Sequence, residues 1–184
     1  MVDTIRAGEI GAEAPAFALP GVDGRTWSLG DFAGGKGFVV MFICNHCPYV
    51  RAITERLVAD VAAMKQLGIE AVAINANDAA SYPADSFANM KSFAAERRFN
   101  FPYLHDQTQQ VARAYDAVCT PDFFGFDADR RLRYRGRLDA GRTDPVDRDA
   151  VRRELLEAMR MIAETGRAPD EQFPSIGCSI KWKP

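Results

Sequence analysis

At 184 residues the chain is most simply one domain, because a core of this size buries enough surface to be stable without splitting. Hydrophobic residues make up 47% and charged residues 26%, and a net charge of -2 offers no electrostatic basis for binding nucleic acid or an anionic membrane. The four cysteines, Cys44, Cys47, Cys119 and Cys178, are too sparse for a disulfide scaffold, which leaves reactive or metal-binding thiols. Residues Met1 to Ile10 lack the basic start and apolar run of a secretory signal, and no apolar stretch could span a bilayer, so a cytoplasmic location is expected.

Pro15 to Pro20 and Arg25 to Leu29, joined by a turn at Asp23-Gly24, read as an N-terminal β-hairpin. Phe38 to Ile43 is a continuous apolar run suited to a strand buried on both faces. Val50, Ile53, Leu57, Val61 and Met64 then recur at helical spacing, and Ile69 to Ile74 forms a second buried strand. Strand, helix and strand make a right-handed parallel crossover whose ligand end follows Ile43. Phe87, Met90 and Ala94 predict a helix over 86–98, and a shorter helical segment runs from Thr108 to Tyr115, both covering the sheet. His105 reads as a loop residue between strand and helix.

Asp122 to Phe126 and Leu132 to Leu138 predict an antiparallel hairpin that closes the sheet. Arg131, Arg133, Arg135 and Arg137 alternate along its second strand, which fits the solvated outer face of an edge strand better than a basic binding stripe. Val151, Leu155, Met159 and Ile162 mark a final amphipathic helix. From Gly166 a tail over 166–184, with Pro169, Pro174 and Gly177, is expected to run irregularly over the surface. Burial of Ile180 and Trp182 would dock it.

The most informative feature is Cys44-Asn45-His46-Cys47, which sits at the ligand end of the crossover. Thiolate is the reactive form of cysteine, and the first turn of a helix stabilises it through unpaired N–H groups and the dipole. Pro48 fits that first turn, so the helix starts near Cys47 and leaves Cys44 in the preceding loop. His46, if protonated, adds a positive charge beside a thiolate, but a ring pointing into water fits the sequence equally well.

Phe42 to Val50, Thr120-Pro121 before Phe123 to Asp127, and Ala14 to Leu19 together resemble the redoxin branch of the thioredoxin superfamily, which includes peroxiredoxin-like proteins. The likeness is closest to a subgroup bearing Cys-Asn-His-Cys-Pro-Tyr-Val and a C-terminal motif that matches Ser175 to Trp182. The resemblance implies an α/β, thioredoxin-like fold with a central mixed sheet flanked by helices. It also implies a cis Thr120–Pro121 bond facing Cys47, where thioredoxin-like folds dock a substrate strand. The likeness has departures. Counting from Phe42 puts the thioredoxin nucleophile at Cys47 and its usual second cysteine at Val50, so the pair is shifted upstream. The peroxiredoxin threonine and proline fall on Cys44 and Val40, its catalytic arginine would align near Thr120-Pro121, and thioredoxin's buried acid falls on Met41, which leaves the proton acceptor unassigned.

The function expected is a thiol-disulfide oxidoreductase: Cys47 attacks a disulfide in a protein or small-molecule substrate, Cys44 resolves the mixed disulfide, and a cellular thiol reductant restores the pair. His46, Pro48, Thr120, Pro121 and Cys178 are supporting candidates, and no cofactor or metal is implied. The alternative is a thiol-dependent peroxidase in which peroxide oxidises Cys47 and Cys44 or Cys178 condenses with it. Two further readings are zinc binding by Cys44, His46 and Cys47 with Cys119 or Cys178, and a redox-inert peptide-binding scaffold. Cys119 reads as a packed thiol. Cys178 is either a buried inert thiol or a resolving one brought back by the tail.

Overall fold

The computed structural model describes residues 8–144, 146–147 and 149–184. The expectation about a leader falls largely on residues 1–7, outside them. Among the described residues no helix is long and apolar enough to cross a membrane.

A short hairpin of β1 (Ala18–Pro20) and β2 (Thr26–Ser28) turns through Gly24, whose φ of 83° is a conformation glycine adopts without a steric cost. The central sheet contains β3 (Gly37–Phe42), β4 (Ile69–Asn75), β5 (Tyr103–His105), β7 (Asp122–Asp127) and β8 (Leu132–Gly136) in the order β5-β4-β3-β7-β8. Strands β3, β4 and β5 are parallel, whereas β7 pairs antiparallel with both β3 and β8, so the sheet is mixed.

Two apolar layers cover β3, which explains its unbroken hydrophobic run. Val39 and Met41 face a core that includes Leu57 and Val61 of α1 (Pro48–Gln66), Met90 and Phe93 of α2 (Phe87–Glu96), and Leu155 and Met159 of α4 (Glu154–Thr165). Phe38, Val40 and Phe42 face the other way, against Phe17, Phe124, Phe126, Ile180 and Tyr115, which follows α3 (Gln110–Ala114). Helix α1 stops at Leu67, where Gly68 takes a φ of 78° and the chain enters β4.

Several expectations are corrected. His105 is the last residue of β5 and stacks on Phe87, with ring centroids 5.7 Å apart. The final helix begins at Glu154, so Val151 precedes it. The arginine row is not simply solvated: Arg133 pairs with Asp127 at 2.6 Å and Arg137 with Glu154 at 2.8 Å. The tail, rather than charge alone, covers the β8 edge. Arg135 N–H donates to Gln172 Oε1 at 2.9 Å, Gln172 Nε2 donates to the Arg133 carbonyl at 2.8 Å, and Arg137 N–H donates to the Phe173 carbonyl at 3.1 Å.

Beyond that point the tail is irregular except for β9 (Cys178–Ser179), which pairs antiparallel with β6 (Cys119–Thr120). Ile180 is buried as expected, but Trp182 stays exposed, with the Arg113 guanidinium 4.3 Å above its ring. Burying one isoleucine is worth roughly 1.5–3 kcal/mol. Ordering backbone costs about 1–2 kcal/mol per residue. Ile180 therefore does not hold the tail by itself, and the hydrogen bonds of Gln172, Phe173, β9 and Lys181 share the task.

Candidate active site

The first wall of the site is the β3–α1 junction. Strand β3 ends at Phe42, the chain turns through Cys44, Asn45 and His46, and Cys47 is the N-cap of α1 with Pro48 in the first turn. The helix thus opens where the sequence places it, and Cys44 lies in the loop beneath. Both thiols are fully buried, at 0% exposure.

The second wall is the β6–β7 junction, where the Thr120–Pro121 bond is cis. The Thr120 carbonyl oxygen is 3.2 Å from Cys47 Sγ, whose thiol form donates to it, and Thr120 Oγ1 is 3.3 Å from Cys44 Sγ. The tail provides a third wall. Cys178 stands opposite Thr120 in the β6–β9 register, and its Sγ is 3.1 Å from Cys47 Sγ. Cys119 does not join this cluster. Its buried thiol is 3.6 Å from the Pro121 carbonyl, and burial pushes its pKa up to about 12.

These surroundings drive the thiols apart. A hydrogen bond from Cys44 is the largest influence on Cys47 and holds its pKa down to about 4, despite the opposing effect of burial. The Cys178 thiol and the Val50 amide, in the first turn of α1, also favour the Cys47 thiolate. Cys44, as the donor to that thiolate, is pushed far above the ordinary thiol range, and burial and the Asp85 carboxylate push it the same way. Burial first, and then its own bond to Cys47, raise Cys178 to about 11.

Asp85 is the residue that the sequence does not announce. It lies in a single helical turn, Pro83–Asp85, immediately before the Ser86 N-cap of α2, where an acid ordinarily faces water. Here it is fully buried and accepts hydrogen bonds from Asn45 N–H at 2.7 Å and Asn77 Nδ2 at 2.8 Å. His46 Nδ1 is 2.6 Å from Oδ2, the oxygen that Asn77 also reaches, and the ring stacks on Tyr82. His46 is therefore turned toward Asp85, while Asn45 Oδ1 accepts from the buried Tyr103 hydroxyl at 2.9 Å. Ligand-type atoms of Cys44, His46 and Asp85 lie within 4.8 Å of one another, a set different from the Cys44, His46 and Cys47 group considered for zinc. All three atoms are already engaged in hydrogen bonds.

A concavity of about 520 Å³ shares no lining residue with the thiols. Three ion pairs line it, Arg56 with Asp139, Arg152 with Glu157 and Arg153 with Asp60.

A buried thiol at a helix start, facing a cis-proline loop beside a five-stranded mixed sheet, is a redoxin arrangement. Residues 10–135 match the AhpC/TSA family. The chain belongs to that family. The matched span holds Cys44, Cys47, Thr120 and Pro121, whereas Cys178 lies outside it. Among solved structures, this AhpC/TSA chain is similar to an uncharacterized conserved protein from Geobacillus kaustophilus, with 47% identity, a TM-score of 0.88, and coverage of 96% of this chain and 94% of that one. It is also 26% identical over 131 residues, 67% of each chain, to the thiol-disulfide oxidoreductase ResA of Bacillus thuringiensis. Peroxidoxin BcpB from Mycobacterium tuberculosis shares the fold, at a TM-score of 0.61 and 17% identity over 86% of this chain and 98% of that one. The AhpC/TSA chain is thus a thioredoxin-fold redoxin related to thiol-disulfide oxidoreductases.

Proposed function

We propose that the protein is a dithiol oxidoreductase in which Cys47 is the nucleophile and Cys44 the resolving thiol. The observation that carries this reading is the opposite displacement of two adjacent thiols: Cys47 is held as thiolate at the start of α1 by the proton that Cys44 retains. Cys47 attacks one sulfur of a substrate disulfide, forms a mixed disulfide and expels the other sulfur as thiolate. Cys44 then gives up its proton and attacks Cys47 Sγ. The second substrate thiol leaves, and two electrons have passed from protein to substrate. Asp85, whose carboxylate lies within 4.8 Å of Cys44 Sγ, is the acceptor on hand for that proton. A disulfide-bearing polypeptide takes the Thr120 edge once β9 leaves it, pairing as an added strand. A cellular thiol reductant returns the two electrons, and a reducing compartment such as the cytoplasm suits a protein whose cysteines work as free thiols.

Membership of the AhpC/TSA family supports a second reading, thiol peroxidase, with peroxide oxidising Cys47 to sulfenic acid. Cys44 and Val40 stand where that chemistry has threonine and proline, which favours the first reading. Stopped-flow oxidation of the reduced protein separates the two. A disulfide-bearing protein is expected to oxidise it faster than peroxide does, and Cys47→Ser is expected to abolish the reaction. Rapid oxidation by peroxide with no disulfide reduction would replace this reading with the peroxidase.

A further inference from the structure

Strand β9 occupies the edge that a substrate strand needs, and it does so with a cysteine in the reacting position. Cys178 pairs with Thr120, and its Sγ lies 3.1 Å from Cys47 Sγ. Ile180 N–H donates to the Val118 carbonyl at 3.2 Å and Lys181 N–H donates to Asn77 Oδ1 at 2.9 Å, which fixes the register from the far side. A Cβ at Gly177 would fall 1.9 Å from the Thr120 carbonyl oxygen, so the approach requires glycine there. Cys44 and Cys47 are fully buried beneath the strand, while Cys178 is partly exposed.

We infer that β9 is an internal stand-in for a substrate strand and that Cys178 is a second resolving thiol, used for disulfides too small to hold the Thr120 edge. This rests on Cys47 being the nucleophile, as proposed above. Since Cys47 is buried, β9 lifts before any oxidant reaches it. The Cys47 thiolate then attacks a small disulfide RSSR, forms Cys47–S–SR and releases RS⁻. A polypeptide substrate keeps the edge and excludes β9, so Cys44 resolves from beneath. A small R group leaves the edge free and β9 returns. Cys178 loses its proton to solvent and attacks Cys47 Sγ, the bond to SR breaks, and the second RS⁻ takes up a proton. RSSR has become two thiols and the protein holds a Cys47–Cys178 disulfide, which fastens the tail to its edge. Restoring it requires a dithiol reductant, for which the partly exposed Cys178 sulfur is the reachable target and the Cys47 thiolate the better leaving group.

The test treats reduced Cys44→Ser with glutathione disulfide, blocks free thiols by alkylation and maps the peptides by mass spectrometry. The expected product is a Cys47–Cys178 disulfide with no lasting glutathione adduct, whereas Cys44→Ser/Cys178→Ser retains the adduct on Cys47. Cys44→Ala repeats the measurement with a side chain suited to a buried apolar site, should the serine variant fold poorly. A lasting adduct on Cys47 in the single variants, with Cys178 freely alkylated, would overturn this inference and leave Cys47 as nucleophile. No adduct on Cys47 in the double variant would overturn both readings.

Discussion

Cys47 owes its acidity to neighbours of three kinds: the Cys44 thiol below, the Cys178 thiol on the tail, and the first turn of α1. Cys44 contributes most. A hydrogen bond to a charged group is worth about 1.5–3 kcal/mol, and one pKa unit about 1.4 kcal/mol, so Cys44→Ala should raise the Cys47 value by about 1–2 units. Iodoacetamide alkylation measured against pH checks this, with wild-type reactivity falling only as pH drops through about 4. An unchanged midpoint in Cys44→Ala would mean that the helix start alone sets the acidity. The folded value lies below the ordinary thiol value of 9.0, so the folded protein releases a proton that the unfolded chain keeps. The Cys47 contribution to stability therefore grows as pH rises between those values and is lost as pH falls through about 4. The two thiols were legible in the spacing and the helix start in Pro48, whereas the main cause of their inequality, the hydrogen bond from Cys44, was not. Asp85 was not, because it reaches the site from 40 residues away and its turn carries no motif. Asp85→Ala would orphan the Asn45 amide and Asn77 Nδ2 at about 1–3 kcal/mol each, a loss of about 3 kcal/mol in all. The expected fall in Tm is about 6–12 °C by calorimetry. A Tm within a degree of wild type would show the network to be dispensable.

At the scale of elements, what the sequence revealed followed length. Strands β3 and β4 and helix α1 are long enough for an apolar run or a helical period to stand out, and their bounds fall within a few residues of the expected ones. Strands β5, β6 and β9 have two or three residues each, too few for alternation to register, so pairing decides them. That is why His105 reads as loop and the tail as irregular until the partner strands are seen. The β6–β9 pairing depends most sharply on Gly177, because any Cβ there collides with the Thr120 carbonyl. Gly177→Val should lift β9 while sparing the central sheet. If undocking shifts the balance by about 1.4 kcal/mol, the open population rises about tenfold, and Cys47 alkylation at neutral pH quickens by the same factor. Equal alkylation rates in the two proteins would mean that β9 does not cover the nucleophile.

Across the whole molecule, a sheet covered on both sides was readable because its central strand is apolar on both faces, which calls for a layer on each side. The N-terminal hairpin and α3 fill one layer, and α1, α2 and α4 fill the other. What composition could not reveal is where the tail travels. From Gln172 to Lys181 it covers the β8 edge and then crosses to the thiols, so residues far apart in sequence complete the site. The arginine row is a related case: its side chains stay partly exposed, but Asp127, Glu154 and the tail lie against it as well. The central claim is that Cys47 performs the first chemical step. Its most direct test is peptide mapping of the Cys44→Ser/Cys178→Ser protein after exposure to a disulfide-bearing protein. The account predicts a stable mixed disulfide on Cys47 in near-stoichiometric yield, and an adduct on Cys119 instead, or none at all, would contradict it.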